Sequence, residues 1–357
     1  MTAVTEAEVL AALKDIPEPE TGRKLVQSQQ VEGVKFDGAK VSLTLKLTSH
    51  SAPLYTKIKA DVVECLKNRF PQLAEVEVQI AEHHRPPMKL GQIGLTAKSV
   101  VAVGSGKGGV GKSTIAAGLA FGMKNLGCKV GLMDADVYGP SVPHLLGLSG
   151  QPQLVDNRII PIDADGMKVM SMGFLVPPEK AVIWRGPMLH QYLTQFLRDT
   201  AWGELDYLFI DMPPGTGDVS LTLSQLLPVT GAVVVCTPQD VALIDAVKAI
   251  AMFRTVKIPV LGMVENMSYF LCPDNNKRYN IFGHGGAQAK AAEMDVPFLG
   301  EVPINIQIRE FGDQGQAGSM LSEESCKEYF QALCLQLARN ISQRAQQSPG
   351  LPSLSVL

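Results

Sequence analysis
The chain has 357 residues, 46% of them hydrophobic and 19% charged, with a formal net charge of −3. That length and apolar fraction allow two or three domains with full cores, and they exclude intrinsic disorder for the bulk of the chain. The near-neutral balance gives no electrostatic reason to bind nucleic acid, and no apolar run reaches the length of a membrane span. Met1 to Glu8 carries acids and no basic n-region, so no secretory signal is expected. The six cysteines, at positions 65, 128, 236, 272, 326 and 334, form no C-x-x-C pair. A reduced, cytoplasmic chain is expected rather than a disulfide scaffold.

Residues 5–14 have the apolar spacing of a helix, and 15–22 (DIPEPETG) break it. Lys40–Leu47 alternates apolar and polar residues as a half-buried strand does. A Ser/His/Pro turn at 49–53, an amphipathic helix over 54–69 and a short strand over Val76–Ile80 follow. Together these predict a small α+β domain over 1–82. Residues 83–97 show no period and contain Pro-Pro, which reads as a linker. From 98 to 342, short apolar strands alternate with helical segments. That pattern predicts an α/β domain with a mainly parallel central sheet flanked by helices. Residues 343–357 are polar and broken by proline, and a disordered tail is expected there.

The strongest signal follows the buried-strand run Val100–Val103. Gly106-Lys107-Gly108-Gly109-Val110-Gly111-Lys112-Ser113 fits G-x-x-x-x-G-K-[ST], and a helix reads from Thr114. Glycines let the backbone close around phosphate oxygens, and the amides and helix N-terminus supply positive potential. Gly106 through Thr114 are therefore the expected ATP cradle of a P-loop NTPase. Lys112 is expected at the β/γ phosphates and the Ser113 hydroxyl on Mg²⁺. A second strand, Leu208–Asp211, ends in a carboxylate that would point into the ligand crevice. Asp211 is assigned to Mg²⁺, and residues 213–218 (PPGTGD) to a loop that senses the γ-phosphate. A third strand ends in Asp134-Ala135-Asp136, where alternation puts both carboxylates on one side. Asp134 is expected on the Mg²⁺ side and Asp136 on the attacking water, with helix capping as the other use of either.

Lys107 makes the loop K-G-G-x-G-K-[ST], which resembles the deviant phosphate loop of the MinD-like ATPases. DADVYGPSVPHLLG at 134–147, WRGPM at 184–188, DMPPGTGD at 211–218 and VENMS at 264–268 narrow the resemblance. Together they are similar to the Mrp/ApbC family of iron–sulfur cluster carrier ATPases, over nearly all of 98–340. The small domain also resembles the one that bacterial members carry before the ATPase. The resemblance implies a homodimer in which Lys107 reaches the partner's phosphates, beside Lys112 and Asp136 in catalysis. It implies slow hydrolysis, an iron–sulfur cluster as cargo and apoprotein clients, with no nucleic acid or membrane partner. It also implies that Asn266 contacts adenine at a strand end and that Pro303 packs against the base.

The family pattern after E-N-M-S is an aromatic loop with C-P-x-C, giving four thiolates across a dimer. Here Cys272 matches the first position and Asn275 stands at the second, so a dimer offers two thiolates. His284 reads equally as a further ligand and as a loop histidine. Cys128 and Cys236 read as core, Cys326 and Cys334 as packed on one helix, and Cys65 as the buried face of another. The turn at 49–53 has no thiol where relatives often carry one. Two other functions compete with cluster carriage. A MinD/ParA-type positioning ATPase would need a membrane helix or a basic DNA face, and the tail SPGLPSLSVL has two prolines and no Lys or Arg. A cluster-free, nucleotide-dependent scaffold would suit the missing second cysteine.

Overall fold
The computed structural model describes residues 4–175, 186–215 and 217–347. Two units separate by their internal contacts, Met1–Arg85 with Ala338–Leu357, and Pro86–Leu337. Of the first, residues 4–85 and 338–347 are described.

In the first unit, α1 (Glu6–Leu13) starts at a capping box. Thr5 Oγ1 accepts from the Glu8 N–H, and the Glu8 carboxylate accepts from the Thr5 N–H. Then come β1 (Val31–Asp37), β2 (Lys40–Leu47), α2 (Tyr55–Arg69) and β3 (Glu75–Glu82). β2 lies between β1, which is antiparallel to it, and β3, which is parallel. The alternation of β2 buries Val41, Leu43, Leu45 and Leu47, while the helices bury Val9, Leu13, Ile58, Val62 and Leu66. Each such side chain contributes about 1.5–3 kcal/mol, the main support of so small a unit. β1 has no alternation to read: Gly33, at φ 65°, sits where its register against β2 shifts between Glu32 and Lys35.

The second unit opens with β4 (Lys89–Leu90), which pairs antiparallel with the start of β5 (Leu95–Gly104). The linker expected over 83–97 is therefore shorter. Gly91 and Gly94 turn a hairpin, and Leu95 and Ala97 are already buried parts of the central strand. The chain continues through α3 (Lys112–Asn125), β6 (Val130–Asp134), α4 (Val142–Leu145), β7 (Gln153–Val155), β8 (Arg158–Ile160), β9 (Ile162–Ala164) and β10 (Met167–Ser171). Next are α5 (Gly186–Asp199), β11 (Leu205–Asp211), α6 (Asp218–Leu226), β12 (Gly231–Cys236), α7 (Asp240–Thr255) and β13 (Val260–Leu271). Last are β14 (Arg278–Tyr279), α8 (Gly286–Glu293), β15 (Phe298–Ile304), α9 (Ile306–Asp313) and α10 (Glu324–Gln347).

The large sheet runs β14-β13-β12-β5-β11-β6-β10-β9, with β15 also on β13. The pairs from β15 through β13, β12, β5, β11 and β6 to β10 are parallel; β4, β9 and β14 are antiparallel additions. This is the mainly parallel, helix-flanked sheet expected of the α/β class. Successive connections leave β5 toward β6 and β11 on one side and reach β12 on the other. The C-terminal end of β5 is thus the switch point where such sheets bind ligands. α3 packs between the sheet and α10: a Cβ at Gly118 would collide with Phe330, and one at Gly122 with Cys334 Sγ. α10 reaches Gln347, so 343–347 of the expected tail are helical. Residues 348–357, Thr216, and Trp184 and Arg185 of the WRGPM segment lie outside the described residues.

Candidate nucleotide site and cysteine hairpin
Val100–Val103 are fully buried, which fixes the point where the chain leaves β5 for the phosphate loop. Ser105 Oγ donates to Lys107 O at 2.9 Å, and the Gly215 N–H donates to Ser105 O at 2.8 Å. The loop is so tied to the segment after β11. Gly106 lies against the backbone of Asp245, where any Cβ would collide. Gly111 is required twice over: it has φ 79°, and a Cβ there would strike Asn266 Nδ2. Gly108 and Gly109 face open space instead. Two glycines hold the loop in place and two leave room for an anion at the N-terminus of α3.

Lys112 is 7% exposed, and its Nζ lies 2.5 Å from Asp211 Oδ1, 3.2 Å from Ser113 Oγ and 3.9 Å from Asp136 Oδ2. The structure thus brings Lys112, Ser113, Asp136 and Asp211 together. Burial pushes the Asp211 carboxyl above its ordinary range, and the Lys112 ammonium opposes that rise. Asp211 Oδ2 is buried without a hydrogen-bond partner among the described residues. Such an orphaned oxygen costs about 1–3 kcal/mol or more. With the Ser113 hydroxyl close by, this donor set suits a hard, oxygen-seeking divalent cation such as Mg²⁺.

Asp134, expected on the Mg²⁺ side, accepts three hydrogen bonds from within the chain. It is fully buried, and both of its oxygens are already used. Oδ1 accepts from the Asp136 N–H at 3.1 Å; Oδ2 accepts from the Val142 N–H at 3.2 Å and the Ser171 hydroxyl at 3.0 Å. It anchors the chain after β6 to the first turn of α4 and to the end of β10. Burial first, and the Asp211 charge second, push its pKa up to about 7. Asp136 lies beyond the end of β6, so strand alternation does not place it. Its Oδ1 accepts from the Tyr138 and Gly139 N–H groups at 3.2 and 3.1 Å, which aims Oδ2 at Lys112.

Asn266 is 7% exposed, and its Nδ2 donates to Val110 O in the phosphate loop at 2.8 Å. β13 does not end there. It bulges: Met267 has φ 55°, and the pairing with β15 shifts between Asn266 and Phe270. Pro303 lies on β15 and lines a cleft of about 480 Å³ with Phe270, Leu271, Ile306 and Tyr329. No phosphate-loop residue lines that cleft. Lys107 is half-buried and makes no ion pair with another described residue.

β13 runs on to Leu271, and Cys272 opens the hairpin to β14. The Cys272 N–H donates to Lys277 O at 3.0 Å, and Cys272 O accepts from the Asn276 N–H at 2.8 Å. Asn275 Oδ1 accepts from the Lys277 N–H at 2.9 Å. Cys272 is half-exposed at this tip. Burial raises the thiol pKa of Cys65, Cys128, Cys236, Cys326 and Cys334, that of Cys236 to about 12. Buried neutral thiols are poor iron ligands. His284 Nε2 lies 2.8 Å from Glu301 Oε2. Sequence reasoning missed Glu265. Its ligand oxygen lies within 4.8 Å of those of His284 and Glu301. Yet Glu265 already accepts from the Ser268 hydroxyl and the Gly285 and Ala287 N–H groups, so it caps α8 rather than offering a ligand. An E-N-M-S stretch followed by Gly-Gly before a helix is the only signal that could have found it.

Fold and loop together define a P-loop nucleotide-binding protein. Residues 96–341 match the NUBPL iron-transfer P-loop NTPase family, and residues 6–80 match the iron–sulfur cluster assembly protein family. The chain belongs to the NUBPL iron-transfer P-loop NTPase family. It is 45% identical over 340 residues to an iron–sulfur cluster carrier protein of Deinococcus radiodurans, covering 94% of this chain and 95% of that one. It is 46% identical over 293 residues to the iron–sulfur cluster transfer protein NUBPL of Dictyostelium discoideum, covering 81% and 86%. Among solved structures, a nucleotide-binding protein from Archaeoglobus fulgidus in complex with ADP is similar at a TM-score of 0.58 and 42% identity. That match covers 66% of this chain and 92% of the other.

Proposed function
We propose that this chain is an ATP-binding, slowly ATP-hydrolysing carrier that accepts an iron–sulfur cluster and passes it to apoproteins. One observation carries the reading: the strand that touches the phosphate loop through Asn266 is the strand that ends in the Cys272 hairpin. The names of the relatives support the cargo, and the bound ADP of the Archaeoglobus fulgidus protein supports the nucleotide.

The loop amides and Lys112 bind the phosphates. Ser113 and Asp211 would hold Mg²⁺, which when bound neutralises charge on the β and γ oxygens. Asp136 Oδ2 orients the attacking water, and Asn266 and Pro303 border the base. Lys107 acts across a homodimer in the cytoplasm. Two copies of Cys272, one per subunit, are the protein's thiolates for the cargo, and two thiolates leave a cluster incompletely held. Incomplete ligation suits release.

A cluster-free scaffold is the second reading, favoured by Asn275 at the hairpin tip. Anaerobic reconstitution with iron and sulfide decides between them. The carrier reading expects at most one cluster per dimer, transferable to an apo-ferredoxin; protein that retains no iron overturns it. Release of phosphate from MgATP by the same sample tests the ATPase separately.

A further inference from the structure
Asn266 does something that a contact with adenine does not explain. Its amide donates to Val110 O at 2.8 Å from a position only 7% exposed. The described chain has no cis peptide, so the C=O of Val110 and the N–H of Gly111 point in opposite directions. A carbonyl held on Asn266 therefore turns the Gly111 N–H away from Asn266. Gly111 is the N-cap of α3 and has φ 79°, so this N–H belongs to the donor set at the helix N-terminus. The reverse peptide would aim a carbonyl oxygen at a phosphate oxygen, two negative dipole ends in one place. The bulge at Met267, a non-glycine residue at φ 55°, interrupts β13 immediately after Asn266. Backbone strain of this kind persists only where surrounding contacts impose it.

We propose that Asn266 is a positioning residue for the polyphosphate. It fixes the Val110–Gly111 peptide with its N–H toward the phosphate oxygens, whatever base the nucleotide carries. The inference rests on the nucleotide-binding reading above and deepens it.

The test is titration of the full chain with MgATP and with Mg-tripolyphosphate, which has no base. Wild type, Asn266→Ala and the isosteric Asn266→Asp are compared. Kd is read from the curvature of the titration, so a misfolded fraction lowers the stoichiometry without imitating the effect. Asn266→Ala is expected to weaken both ligands by the same factor, about tenfold or 1.4 kcal/mol. Asn266→Asp is expected to weaken both further, because a carboxylate repels the Val110 carbonyl. Weakened MgATP with unchanged tripolyphosphate would make Asn266 an adenine contact and overturn the proposal, as would no change in either. Wild type that takes MgATP but not tripolyphosphate overturns it too. Wild type that binds neither removes the nucleotide reading itself, a distinguishable failure.

Discussion
Lys112 and Asp211 hold each other at 2.5 Å, in a place where neither charge is solvated. Removing one partner of such a pair leaves a buried charge uncompensated, at about 3–5 kcal/mol. Lys112→Ala is therefore expected to lower the melting temperature of the nucleotide-free protein as well as weaken ATP about a hundredfold or more. The double variant Lys112→Ala with Asp211→Asn is expected to melt near wild type and still not bind ATP. Equal melting of wild type and Lys112→Ala would deny the pair any role in stability. Asp134 makes a prediction of opposite kind. Its folded pKa, about 7, lies above its ordinary value of 3.8. The folded state thus binds the extra proton between those values, and stability from this group falls as pH rises through that window. In urea unfolding of nucleotide-free protein, wild type is expected to gain on Asp134→Asn as pH is lowered from 8 to 5; a constant difference contradicts it. The meeting of Lys112, Ser113 and Asp211 is legible in the sequence because the P-loop pattern and a strand-end carboxylate each fix a position at the same sheet edge. For Asp134 a metal carboxylate and a capping carboxylate look alike in sequence, and the structure adds its bonds from Val142 and Ser171.

β13 touches the phosphate loop through Asn266 and runs on to the Cys272 hairpin. Its first half was legible as a buried strand, but the run past Asn266 was not, because a bulge breaks the period on which strands are read. β1 escaped notice for the same reason, through Gly33. At the hairpin tip, Asn275 spends its side-chain oxygen on the Lys277 N–H, a turn contact worth about 1 kcal/mol. Asn275→Cys is thus expected to loosen the turn slightly while adding the second thiol of each subunit. After anaerobic reconstitution it should retain more iron through a desalting column than wild type does, and Cys272→Ser should retain none. ATP turnover of Cys272→Ser is expected to be unchanged, because no phosphate-loop atom depends on the thiol. Equal iron in wild type and Cys272→Ser would remove Cys272 from the cargo site.

Beyond the single chain, the hairpin that carries Cys272 exposes Leu271, Tyr279, Ile281 and Phe282, each between 38% and 57%. Several large apolar side chains exposed within a dozen residues suit a face that a second copy covers. Lys107 makes no ion pair with another described residue, and the proposed homodimer would bring its charge to a partner's phosphates. If Lys107 acts across a two-fold and Asp136 acts within its own subunit, each active site takes one residue from each chain. Lys107→Ala alone and Asp136→Asn alone are then both expected to hydrolyse ATP far more slowly than wild type. The Asn variant keeps the Oδ1 acceptor for Tyr138 and Gly139, so its nucleotide affinity is expected to hold. Mixed in equal amounts, the two variants form mixed dimers in which one of the two sites has an intact Lys107 and an intact Asp136. Random pairing makes half the dimers mixed, so turnover is expected to recover to about a quarter of wild type. Recovery requires subunits to exchange, which dilution of a labelled sample measures independently. Exchange without recovery would place Lys107 in the same subunit as the phosphate it serves.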